Sequence, residues 1–174
     1  MRKVEVVPYN INWHGKFQLE AKQLQEMLPE EVKVHHIGST SIPELEAKPI
    51  IDMIMEVNNL KQVDSWNDLF ASLGYEAKGE NGIDGRRFFI KGTEVERTHH
   101  LHVFQIGDAH IDRHLAFRDY MRTHREEARA YADLKKKLAE QFTYDIERYI
   151  VGKDAFIQSI DRKAAKWRSE NRME

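Results

Sequence analysis

No cysteine occurs in the 174 residues. That excludes a disulfide framework and any thiolate metal site. Proline is scarce, and each of the 4 present acts as punctuation. Pro8 halts the apolar run Val4–Val7, Pro29 ends a helical pattern, and Pro43 and Pro49 bracket a connector. No apolar run approaches the roughly 20 residues of a membrane helix. The opening Met1-Arg-Lys-Val-Glu has no signal-peptide apolar core. These absences set the expectation of a cytoplasmic protein with no membrane partner. A strong charge of one sign is also missing, with a formal net charge of −2, which argues against a dedicated nucleic-acid partner. No repeat, low-complexity linker or composition break divides the chain, so one domain over 1–174 is expected. Its sheet-containing core is placed at 1–107 and its helical portion at 108–174. No residue pattern dictates an oligomeric state.

What is present centres on Val32–Val57. An apolar run ends in His36-Ile37, the small-residue turn Gly38-Ser39-Thr40-Ser41 follows, and a second apolar run carries Asp52 and Glu56. The pattern is strand, phosphate-sized turn, connector and acidic strand. Gly38 permits φ > 0 and close approach of a ligand to the backbone. Ser39, Thr40 and Ser41 put hydroxyls beside N–H groups, which suits an anion. Strand alternation places Asp52, Ile54 and Glu56 on one face. The near-continuous apolar run Pro49–Val57 predicts a central strand covered on both sides. An unpaired carboxylate is costly there, so Asp52 needs a metal, a cation or hydrogen bonds. Lys48, just before Pro49, is a candidate phosphate ligand as a point charge.

The segments His36-Ile-Gly-Ser-Thr-Ser-Ile-Pro43 and Ala47-Lys-Pro-Ile-Ile-Asp52 resemble the GrpB family, which is placed in the nucleotidyltransferase superfamily. The likeness continues through Arg97-Thr-His-His-Leu-His-Val103, Arg113-His-Leu-Ala-Phe-Arg-Asp-Tyr120 and Lys153-Asp-Ala-Phe-Ile157. It implies an α/β (α+β) fold: a nucleotidyltransferase-like mixed sheet with helices and a helical C-terminal portion. Residue pattern alone implies only α/β with a helical tail. In the superfamily, a Gly-Ser turn precedes a strand carrying Asp-x-Asp or Asp-x-Glu. Gly38-Ser39 matches the turn and Asp52 the first carboxylate. Position 54 is Ile, and Glu56 lies one pleat further, roughly 7 Å from the Ile54 position. The superfamily's third carboxylate stands on a later strand, and by chain order His100 or His102 occupies that place. GrpB-like domains also occur fused to dephospho-coenzyme A kinase, which is compatible with a nucleotide or cofactor precursor as ligand.

Elsewhere, Phe17, Ala21, Leu24 and Leu28 predict a first helix with Asn12 as N-cap. Strand Lys33–Ile37 puts His35 and His36 on opposite faces, either one buried or, for His36, facing the site. One helix is expected over Leu60–Leu73, closed by Gly74. A β-meander follows, with strands near Tyr75–Lys78, Arg86–Ile90 and Thr98–Ile106. On the last strand His100 and His102 share a face, and two imidazoles at this spacing can share a metal or grip phosphate. Phe104 stands where a histidine-triad hydrolase would have its third histidine. The C-terminal portion reads as three helices. Lys135–Lys137 is expected on a solvated face, and Gly152 marks a break or an N-terminal turn.

The expected site is therefore Asp52, His100 and His102 for catalysis. Gly38, Ser39, Thr40, Ser41, Lys48, Arg87 and Arg118 are expected on the ligand. Asp52, Glu56, His100 and His102 are expected on a divalent metal, Mg²⁺ or Mn²⁺, with Zn²⁺ admitted by the imidazoles. The expected partner is a nucleotide or another phosphorylated small molecule. Three functions stay open: metal-dependent nucleotidyl or phosphoryl transfer, a non-catalytic nucleotide- or anion-binding module, and a histidine-metal phosphohydrolase.

Overall fold

The apolar run forms strand β2 (Ile51–Val57), whose Ile51, Met53, Met55 and Val57 point to one face and Ile54 to the other. Both faces are covered, as the run predicts. The computed structural model describes residues 3–172. Among them, β1 (Lys33–Ile37) pairs antiparallel with β2, and β2 pairs parallel with β5 (Arg97–Gln105). The meander β3 (Tyr75–Ala77), β4 (Arg86–Gly92) and β5 is antiparallel, giving the mixed order β1-β2-β5-β4-β3.

Helix α1 (Asn12–Met27) lays Trp13 and Leu24 toward the sheet. With Trp66 and Phe70 they cover Met53, Met55, Leu101 and Val103. Each such side chain, fully buried, contributes roughly 1.5–3 kcal/mol. Asn12 is not the cap. Ile11 occupies that position without a side-chain bond, and Asn10 Oδ1 accepts the Asn12 N–H at 2.8 Å. Leu28 is extended (ψ 146°), as a residue before proline prefers. The helix expected over Leu60–Leu73 is divided into α2 (Leu60–Val63), a 3₁₀ turn (Asp64–Trp66) and α3 (Asn67–Ser72). The break turns Val63, Trp66 and Phe70 onto one core surface.

On the opposite face, Ile37, Ile54 and Phe104 meet Ile111 and Leu115 of α4 (Ala109–Thr123). Asp108 caps this helix by accepting the His110 N–H at 2.8 Å. Helices α5 (Arg125–Gln141) and α6 (Ile146–Arg172) complete a second core with α4, and Ile42 and Leu45 of the connector pack into it. Two expectations fail here. Lys135 is buried, and its ammonium donates to the Glu46 carbonyl at 2.7 Å. Gly152 does not break α6, because its role is packing: a Cβ there would lie 2.6 Å from Leu138 Cδ2. Among the described residues no helix is long and apolar enough to cross a membrane.

Candidate functional site

The β2–β5 register sets Asp52 opposite His100 and Ile54 opposite His102. Side-chain alternation then puts Asp52, His100 and His102 on the face turned toward α4. Between this face and helices α4, α5 and α6 lies a cleft of about 370 Å³. Of the residues anticipated from sequence, it gathers Gly38, Ser39, Thr40, Lys48, Asp52, His100 and His102.

Asp52 is held by a chain of donors. Arg86, buried in the sheet, reaches His102 Nδ1 with Nη1 at 3.1 Å, and His102 Nε2 lies 2.8 Å from Asp52 Oδ1. A guanidinium only donates. Nδ1 therefore accepts, the proton sits on Nε2, and Nε2 donates to Asp52. Burial pushes the Asp52 carboxyl up, but His102, His100 and His114 around it hold it well below the usual carboxylate range. Asp52 is thus an oriented carboxylate at neutral pH. Burial lowers His100 to about 4 and His114 to about 3, so both are neutral there.

The turn beside Asp52 presents donors. Gly38 has φ +69°, and a Cβ on it would lie 3.0 Å from Asp52 Oδ2. The carbonyls around the turn are taken on other sides. Arg118 Nη1 binds His36 O at 3.2 Å, Arg122 Nε binds Ser41 O at 3.0 Å, and the Ile42 amide binds Ser39 O at 3.1 Å. Gly38 O accepts from both the amide and the hydroxyl of Ser41. The amides of Gly38, Ser39 and Thr40 meet no acceptor among the described residues. Three successive N–H groups of this kind form an anion-binding concavity. Ser41 is buried with its hydroxyl turned onto its own loop, so it serves the turn's shape and not the cleft. Thr40 Oγ1 is likewise engaged, by His36 Nε2 at 2.8 Å and Ile50 O at 3.3 Å. His36 lies on the far face, stacked on Phe17 with ring centroids 4.9 Å apart.

The cationic wall comes mostly from residues the sequence reading did not assign. Lys48 Nζ and Lys153 Nζ stand 5.4 and 4.8 Å from the Tyr149 ring centre, and Lys135 Nζ 4.7 Å from that of Tyr131. Burial, then the neighbouring Lys153, brings the Lys135 ammonium down to about 7. Burial also lowers Lys153, against the pull of Asp52. Tyr149, Lys153, Ile157 and Asp161 all line the cleft, one turn apart on α6. That four-residue spacing was the signal available in the sequence. Arg113, His114 and Phe117 line it from α4 in the same manner.

Besides Ser41, three anticipated residues do not arrive. Glu56 shares the face of Asp52, but His35 Nε2 binds it at 2.6 Å. Arg87 alternates to the opposite face, where it pairs with Asp64 at 2.8 Å. Arg118 is spent on His36 O and on Asp119 at 2.9 Å, and Arg113 stands at the cleft in its place. The metal set does not assemble either. Both His102 nitrogens are engaged, Ile54 fills the second carboxylate position, and Glu56 is bound elsewhere. Among the described residues no group of three or more His, Cys, Asp or Glu side chains is arranged to hold a metal ion. The protein's own donors do not fit a resident Mg²⁺, Mn²⁺ or Zn²⁺.

Comparison with known proteins gives the lineage. The family described as GrpB protein matches residues 3–163. The chain is 47% identical over 168 residues to YqkA of Bacillus subtilis (strain 168), covering 96% of this chain and 49% of that protein. It thus spans about half the length of that relative. The crystal structure of GrpB from Enterococcus faecalis has a TM-score of 0.89 at 44% identity, covering 93% of this chain and 98% of that one. The Cid1 poly(U) polymerase, in a structure with MgGTP bound, has a TM-score of 0.52 at 11% identity over 78% of this chain and 44% of its own. That likeness is one of fold, and the fold is nucleotidyltransferase-like.

Proposed function

We propose, on the premise that the chain belongs to the GrpB family, that its cleft binds a nucleotide or a closely related phosphorylated small molecule. The observation that carries this reading is the row of free amides at Gly38, Ser39 and Thr40, set in a cleft that also holds Lys48, Lys135 and Lys153. Anionic oxygens satisfy the amides and offset the cost of burying ammonium groups. The nucleotidyltransferase-like fold supports a nucleotide over an unrelated anion.

Of the three functions left open by the sequence, the binding module fits the donors best. The histidine-metal phosphohydrolase loses its ligands, because both nitrogens of His102 are used. Two-metal transfer loses its second carboxylate at Ile54. A divalent cation would come with the ligand's phosphates and meet Asp52 alone, in keeping with the preference of Mg²⁺ for phosphate oxygens, water and one or two carboxylates. Phosphoryl or nucleotidyl transfer stays as a second reading, favoured by the fixed orientation of ionised Asp52.

Calorimetric titration with ATP, GTP, UTP and tripolyphosphate, each with and without Mg²⁺, tests the proposal. Saturable binding of at least one of these that is weakened about ten- to a hundredfold in Lys153→Ala is expected. No heat with any of them would end it. Release of pyrophosphate or phosphate by the wild type, lost in Asp52→Asn, would move the second reading to first.

A further inference from the structure

The cleft extends beyond its phosphate end, and what lies there has a different chemistry. Asp161 lines it from α6 with a side chain only 19% exposed. Its Oδ2 accepts from Arg113 Nη1 at 3.3 Å. Its Oδ1 is buried and has no partner among the described residues. Burial pushes the Asp161 carboxyl up despite Arg113. A buried carboxylate oxygen without a donor is costly and calls for an explanation. Phe117 and Ile157, both on the cleft wall, stand one helical turn from Arg113 and Asp161 respectively. The corner therefore combines apolar walls, one unsatisfied acceptor and a guanidinium that can donate beside it.

Position along α6 says what reaches this corner. Asp161 follows Lys153 by eight residues, about 12 Å of helix. A phosphate gripped at Lys153 does not span that distance. Only a ligand with a further body beyond its phosphates does. A flat apolar body with an N–H on its edge fits the corner, and a hydrogen-bonding acceptor next to that N–H suits Arg113. That is the chemistry of a nucleobase.

We propose that Asp161, with Arg113 beside it, forms the base-reading end of the cleft and takes a ring N–H or exocyclic amine of a nucleobase on Oδ1. This rests on the phosphate-binding reading above and names the class of its ligand: a nucleotide whose base carries an N–H donor. Asp161 selects and Lys153 holds. An ionised carboxylate repels a base edge that offers only lone pairs, so the corner discriminates as well as binds.

The test compares ATP and GTP with purine riboside triphosphate, which keeps the ring, sugar and phosphates but has neither amino nor oxo group. Affinities are measured by calorimetry on the full chain. ATP or GTP should bind about tenfold or more tighter than purine riboside triphosphate, as expected for a hydrogen bond to a charged group. Asp161→Asn should close that gap, and its melting temperature shows whether it is folded. The wild-type comparison stands without the variant. Equal binding of all three triphosphates, or a gap that persists in folded Asp161→Asn, overturns the assignment. Tripolyphosphate binding as tightly as every nucleotide overturns it too, while sparing the phosphate site. If tripolyphosphate and all nucleotides fail to bind, the phosphate reading falls and takes this one with it.

Discussion

Arg86 acts on Asp52 without touching it: His102 stands between them, accepting from the guanidinium on Nδ1 at 3.1 Å and bonded to the carboxylate through Nε2 at 2.8 Å. The guanidinium fixes the tautomer, and the tautomer fixes which way the imidazole can serve the carboxylate. A histidine pair that looks like a metal site in the sequence is, for His102, a lever on Asp52.

His102→Ala should therefore raise the Asp52 carboxyl. Its folded value is depressed, so the stability it contributes is present above the ordinary carboxylate range and lost as pH falls through the depressed value. Without His102 that contribution should be smaller, and its loss should be complete at a higher pH. Carbon-detected NMR titration of the Asp52 carboxyl in both proteins measures the change. An unaltered titration would mean that the hydrogen bond does not set its acidity.

His100 and His114 should make the protein acid-sensitive well above the carboxylate range. The unfolded chain takes up their protons near 6.5, while the folded chain resists until about 4 and about 3. Between those values stability rises with pH, so it is full above about 6.5 and declines as pH drops. One such histidine is worth on the order of 3–5 kcal/mol at most over its full shift. His114→Gln should flatten the profile of urea midpoint against pH between 6.5 and 4.

Lys153 and Arg87 should part company. Lys153→Ala should weaken nucleotide or tripolyphosphate binding about ten- to a hundredfold, the range for a lost charged hydrogen bond. Arg87→Ala should leave it unchanged, because Arg87 faces away and pairs with Asp64. Equal losses in the two variants would contradict the face assignment.

Arg122→Met should weaken anion binding although Arg122 lies outside the cleft lining. Its Nε holds the Ser41 carbonyl at 3.0 Å and so supports the turn that carries the unpaired amides. A loss of about 1 kcal/mol in binding, roughly fivefold, is expected from one hydrogen bond. Tripolyphosphate titration beside a thermal melt separates this from unfolding.

Gly152→Val should destabilise the protein by about 1–3 kcal/mol through overpacking. The added Cβ meets Leu138 Cδ2 at 2.6 Å, where α6 crosses α5. Leu138→Ala in the same chain should recover part of that loss. Additive losses in chemical denaturation would show that the contact is not the cause.

Local pattern determined most of the elements and the Gly38–Ser41 turn that borders the cleft. The apolar alternation of Ile51–Val57 sets a covered strand, and its period of two alone places Asp52 opposite the face of Met53 and Met55. The Gly-Ser-Thr-Ser order sets the turn. The same period placed His100 with His102 and apart from His99. These features depend on neighbours a few residues away, and a single sequence displays them.

Tertiary structure decided which of the polar residues meet. Glu56 shares a face with Asp52, but β1 delivers His35 to it across the sheet. Arg87 belongs to the other face only once β4 is registered against β5. Lys135 reads as one of three solvated lysines until α5 docks on the connector and Glu46 offers a carbonyl. Asp161 lies more than a hundred residues from Asp52 and enters the same cleft because α6 crosses that face of the sheet. Backbone periodicity fixes the direction in which a side chain leaves its own strand or helix. Which partner waits there depends on strand register and helix packing, and those are set by the burial of apolar surface over the whole chain.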